Sequence, residues 1–125
     1  MQRLPSDPRR IWRSGIKAFF LAFTSHRAIA RAGTEALATS PEFRAMWNGF
    51  MQKWIQQTDA MITAERDRGA APATIDAMDL ATSLNQMNER TMMAALLAEE
   101  PSVPHDQVVD TLTHVWVNSI YGPAY

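Results

Sequence analysis

A chain of 125 residues, 46% hydrophobic and 20% charged, has room for one ordinary globular core and not for two independent ones. Its 12 Lys and Arg against 13 Asp and Glu give a formal net charge of −1, without the basic excess of a free-standing nucleic-acid reader. The absence of cysteine excludes thiolate catalysis, disulfide staples and cysteine-ligated metal sites.

Asp7-Pro8 is a helix start, an acidic cap followed by proline at the first helical position. Trp12, Ile16, Phe19 and Phe23 follow at i, i+4, i+7 and i+11 and share one face of a helix that ends near Phe23 or Thr24. The run Arg9-Arg10-Ile11-Trp12-Arg13 reads as its solvated first turn, with Ile11 and Trp12 turned inward. Ser25 caps a short second helix, expected to stop near Gly33. Ser40-Pro41-Glu42 opens a third helix reaching about Arg68, where Gly69 closes it. Its apolar stripe, from Phe43 through Trp47, Met51, Trp54 and Ile55 to Met61 and Ile62, is wide enough to meet neighbours on more than one side. A fourth helix runs from about Thr74 or Asp76 to Glu99, before Pro101. Pro104 opens the last helix, which ends at Gly122. Short links, several apolar faces and no strand-like alternation predict an all-α bundle of about five helices, one domain over residues 1–125. No run of about 18 uncharged apolar residues is present, so no membrane span is expected, and a cytoplasmic location is.

The fourth helix carries an anomaly. Ala81, Asn85, Asn88 and Met92 share one face, and asparagine has no propensity reason to sit mid-helix. Two carboxamides there either face solvent or bridge helices, the commoner arrangement, or orient a ligand in an apolar pocket. Trp12, Phe19, Phe23, Met51, Trp54 and Trp116 come from three helices and read first as packed core, because methionine fills irregular gaps. His26, His105 and His114 are scattered without metal-ligand spacing, so no metal and no cofactor are expected. Serines 14, 25, 40, 83, 102 and 119 belong to no triad signature, and the glycines form no phosphate loop. An enzyme is therefore not expected; the residual catalytic reading is Glu89 as a general base in an apolar pocket, without a visible partner. Glu65-Arg66-Asp67-Arg68 is charge-balanced, offers i, i+3 pairing and reads as a solvated helix end.

Longer stretches carry a resemblance. Trp12-Arg13-Ser14-Gly15-Ile16 with Phe19-Phe20, Ser25-His26, Arg31-Ala32-Gly33, Phe50-Met51-Gln52-Lys53-Trp54-Ile55 and Ala64 to Pro72 run in order almost without gaps. Met87-Asn88-Glu89-Arg90-Thr91, Pro101 to Pro104 and Asp110 to Gly122 continue the series. The chain resembles the ligand-binding and dimerisation region of TetR-family transcriptional repressors, helical homodimers in which an N-terminal helix-turn-helix reads DNA and a C-terminal body binds a small molecule. The resemblance implies an apolar tunnel for an elongated hydrophobic effector. On the first expected helix its lining falls on Trp12, Gly15, Ile16, Phe19 and Phe23; further along it takes in Met51, Trp54, Gln57 and Thr58, then Asn85, Asn88, Glu89 and Met92, and finally Trp116. It also implies a homodimer through the last two helices, about 76–99 and 104–121, with Val109 and Val117 at the contact. Gln57 departs from a tyrosine and Ile11 from a methionine in the matching pattern, which implies a tunnel of different shape. The DNA-reading domain and the helix connecting it to the body are expected to lie outside this chain, leaving it without direct DNA contact and the pocket open on one side. An alternative is a stand-alone or dominant-negative partner that pairs with a full-length regulator of the family.

Overall fold

The computed structural model describes residues 7–25 and 27–122. His26, within the expected second-helix start, lies outside the described residues. In chain order the elements are α1 (Pro8–Ser25), α2 (Arg27–Thr39), α3 (Pro41–Asp67), α4 (Ala77–Leu96), a short 3₁₀ turn (His105–Gln107) and α5 (Val108–Tyr121). Among the described residues every element is helical, as expected.

The starts of α1, α3 and α4 each have a local chemical cause. The Asp7 carboxylate accepts from the Arg9 backbone N–H at 3.0 Å. Ser40, in extended backbone geometry, accepts from Phe43 N–H at 3.1 Å, with Pro41 directly behind it. Asp76 accepts from Asp79 N–H at 3.0 Å, which makes it, and not Thr74, the cap of α4. The ends of α3 and α4 share one device. Gly69 takes a φ of 79°, and Ala70 and Gly69 donate back to the Glu65 and Arg66 carbonyls at 2.9 and 3.1 Å. At the end of α4, Ala98 takes a φ of 55°, and Glu99 N–H returns to the Ala94 carbonyl at 2.9 Å. Both are Schellman closures. The second ends α4 at Leu96, three residues before the expected Glu99.

α2 departs further from expectation: it passes through Gly33 and continues to Thr39. Gly33 is buried against Phe43 of α3, and a Cβ placed there would come within 2.9 Å of the Phe43 Cζ. The glycine serves close helix approach, not termination.

The main helix pairings are α3 with α4 and α1 with α5. Their shared core contains Trp12, Ile16, Phe19, Ile55, Ile62, Leu84, Met92, Leu112, Trp116 and Ile120. Val117 is fully buried in this same core, which removes it from any partner contact, whereas Val109 is only half-buried. Ile11 also departs from its expected inward orientation: it is 43% exposed, one residue from Trp12 at 5%. A helix turns about 100° per residue, so the two cannot face the same side.

Candidate ligand-binding site

Between α1, α3, α4 and α5 lies a cavity with about 80 Å³ of water-sized space. Its lining combines Trp12, Gly15, Ile16 and Phe19 from α1, Trp54, Gln57 and Thr58 from α3, Asn85 and Asn88 from α4, and Trp116 from α5. Ile11 and Met61 complete it. Ten of the residues expected at the tunnel thus come together. Phe23, Met51, Glu89 and Met92 lie outside this lining. Phe23 makes tilted ring contacts with Phe19 and Trp47, at centroid distances of 4.8 and 5.8 Å. Met51 and Met92 are core residues, 6% and 0% exposed. Glu89 accepts a hydrogen bond from the Trp47 indole, clasping α4 to α3.

The two asparagines are buried, each 2% exposed, and both bridge helices. The Asn85 amide donates to the Thr58 hydroxyl at 3.1 Å and to the Ala81 carbonyl at 2.8 Å. Thr58 in turn donates to the Trp54 carbonyl at 2.8 Å. The Asn88 carbonyl oxygen accepts from the Trp116 indole N–H at 2.8 Å. These bonds fix which end of each carboxamide points where. Each asparagine spends one end of its amide within the protein: the remaining Asn85 Oδ1 is an acceptor, and the remaining Asn88 Nδ2 is a donor. Both side chains border the cavity.

A second chain of bonds sits behind the α1 wall. The Trp12 indole N–H donates to the Tyr121 hydroxyl at 2.8 Å, and that hydroxyl donates to Glu65 Oε1 at 2.7 Å. Arg68 grips the same carboxylate at 2.6 and 3.0 Å. The Arg68 contact, aided by the Tyr121 hydroxyl and opposed by burial, holds Glu65 below the usual carboxylate range. Burial, reinforced by Glu65, raises Tyr121 well above an ordinary phenol. The expected i, i+3 pair at the end of α3 therefore exists, but its acid also reaches inward to α5. Nothing local in the sequence marks that link, because Glu65 and Tyr121 are 56 positions apart.

The lip of the cavity contrasts with its wall. Ile11 is 43% exposed, and Gly15 and Gln57 face outward with it; Phe50, 38% exposed and outside the lining, lies next to the lining rings of Phe19 and Trp54. Phe50 stacks on Phe19 at 6.0 Å and on Trp47 at 5.2 Å, extending the aromatic surface to the rim. Among the described residues no three metal-capable side chains cluster, and no helix is long and apolar enough to cross a membrane.

Fold and site together define a helical body holding an aromatic-walled cavity with two buried asparagines on its border. The family described as "Transcriptional regulator EthR, C-terminal domain" matches residues 12–122, and the chain belongs to this TetR-type family. It is 65% identical over 122 residues to the HTH-type transcriptional regulator EthR of Mycolicibacterium smegmatis, covering 98% of this chain and 56% of that protein. Against the HTH-type transcriptional regulator EthR of Mycobacterium tuberculosis and of Mycobacterium bovis the identity is 57% over 117 residues, 94% of this chain and 54% of each relative. The chain spans about half the length of the curated relatives it matches. Those relatives are transcriptional regulators, not enzymes.

Proposed function

We propose that this chain is the effector-binding and dimerisation body of a TetR-type repressor, and that its effector is an elongated, uncharged, mainly apolar molecule. The observation that carries the reading is the cavity lining: mostly aromatic and aliphatic, with a buried carboxamide acceptor at Asn85, a buried carboxamide donor at Asn88 and the exposed Gln57 carboxamide at the outer edge. Trp12, Phe19, Trp54 and Trp116 supply contact, and the asparagines orient a ligand carbonyl or N–H. Phe23, Met51, Glu89 and Met92 back these residues and shift with them. The enclosed space holds only a handful of waters, so an elongated ligand extends across the open lip or displaces rings of the wall. In a complete repressor, ligand binding favours the arrangement unable to hold DNA, by its greater affinity for that state.

Self-association uses α4 and α5. Within the chain, Ser83, Gln86 and Arg90 of α4 and Thr111, His114 and Ser119 of α5 remain exposed, a face available to a second copy. Sedimentation velocity on the wild type and on a Thr111→Glu, His114→Glu variant tests this: a dimer in the first and a monomer in the second supports it, and equal mass in both sinks it.

The effector reading is tested by intrinsic tryptophan fluorescence titrated with N-hexylbenzamide, since Trp12, Trp54 and Trp116 line the cavity. A saturable change in the wild type that is lost in Asn88→Leu is expected. No saturable change, or an Asn88→Leu variant that binds like wild type, refutes it.

A further inference from the structure

Two of the three tryptophans that line the cavity, Trp12 and Trp116, are tethered unequally. Their rings meet at 5.6 Å with planes 49° apart. Trp116 donates its N–H to Asn88, which itself lines the cavity. Trp12 donates to Tyr121, which does not. Tyr121 is the last residue of α5, and its hydroxyl donates a hydrogen bond to Glu65 in the last turn of α3. Through the Tyr121 hydroxyl, the C-terminal ends of α5 and α3 are linked to the single polar atom of one cavity-lining ring.

We propose that Tyr121 and Glu65 are positioning residues for the cavity: the tyrosine hydroxyl, braced by Glu65, fixes the tilt of the Trp12 indole and so sets the width of ligand that the cavity accepts. The proposal rests on the effector reading above. A buried indole N–H left without a partner carries its full desolvation cost. Deprived of Tyr121, the Trp12 ring turns until its N–H finds water or a ligand, and the space it turns through is the cavity. With about 80 Å³ free, a modest rotation of a ring this large changes which shapes fit. The polarity of the relay is fixed at neutral pH. Glu65, gripped by Arg68, stays an acceptor, and the buried phenol stays a donor.

The test uses the 125-residue chain, nitrogen-15 labelled, with the Trp12 indole resonance assigned by Trp12→Phe. In Tyr121→Phe that resonance moves and its hydrogen exchange accelerates, while the Trp116 resonance stays in place. Affinities are then compared for N-hexylbenzamide and the broader N-hexyl-2-naphthamide. The ratio of the two changes about fivefold in Tyr121→Phe, the effect of losing one hydrogen bond. Loss of stability alone weakens both probes equally and leaves the ratio unchanged. Glu65→Leu, which keeps the phenol, behaves like Tyr121→Phe and serves if the latter fails to fold; Glu65→Gln, which keeps an acceptor, restores the wild-type ratio. A Trp12 resonance indifferent to Tyr121→Phe, or a probe ratio that stays constant across the variants, overturns the proposal. A wild type that binds neither probe instead overturns the effector reading, and the indole resonances distinguish the two failures.

Discussion

The wall of the cavity and its lip are built on opposite terms. On the wall, Asn85, Asn88 and Trp116 are 2 to 3% exposed, and each side chain makes an interhelical hydrogen bond within the protein. On the lip, Ile11 stands 43% exposed, and Phe50, stacked on the lining ring of Phe19, 38%, with no polar atom in either side chain. Buried amides are tolerated only where they are paired, so the wall's geometry is tightly determined. Apolar groups at the lip have no directional demand, and their cost is proportional to the area left wet. The wall can therefore discriminate between ligands, whereas the lip supplies adjustable contact area.

Removing the largest part of the wall should separate the two most sharply. Trp116→Ala deletes a 3%-exposed ring and leaves Asn88 without its partner, so a loss of about 3 to 5 kcal/mol in urea unfolding is expected. A loss under about 1 kcal/mol would show that the wall is as loosely built as the lip. Next in size is Asn88→Ala, which keeps the tryptophan but orphans its N–H. Equilibrium unfolding should register a cost of about 1 to 3 kcal/mol; a neutral result means water already satisfies that indole.

Much of the wall was legible in the sequence because it obeys one short-range rule. Ala81, Asn85, Asn88 and Met92 fall on one helical face by spacing alone, and all four are 0 to 2% exposed. Both uses weighed for the asparagines meet at these residues, which bridge helices and border the cavity. The resemblance to the TetR family brought ten lining residues together, but it could not separate Phe23 and Met92, which pack behind the wall, from those that form its surface. Gly33 was misread because a glycine that ends a helix and one that admits a neighbouring ring look the same until Phe43 is in place. The Trp12–Tyr121–Glu65 relay was not legible at all: its members are 109 and 56 positions apart, and each alone has an ordinary local explanation.

The relay also yields an acid-side prediction of smaller size. Glu65 has a folded-state pKa below its unfolded value, so its contribution is complete above the ordinary carboxylate pKa of 4.5 and is lost as pH falls through the lower, folded value. Arg68 is 60% exposed, and solvent screening keeps the Arg68–Glu65 contribution below about 1 kcal/mol. Thermal melts of the wild type and Glu65→Gln should converge as pH falls below 4.5. Parallel curves across that range would detach Glu65 from the stability of the fold.

The smallest stability effect is expected at the lip, and it is the one that tests the contrast most directly. Ile11 shares its turn with Trp12, yet it projects outward, bordering the cavity from the solvent side. Ile11→Ser removes apolar surface that is already 43% wet, so unfolding free energy should change by no more than about 0.5 kcal/mol. Binding of N-hexylbenzamide should weaken, because the ligand loses contact area where it leaves the enclosed space. The ratio between the narrow and broad probes should hold, since the Trp12 tether is untouched. A substitution that lowers affinity without altering selectivity or stability is what a lip of adjustable contact predicts; a shift in the probe ratio equal to that of Tyr121→Phe would mean that lip and wall act as one surface.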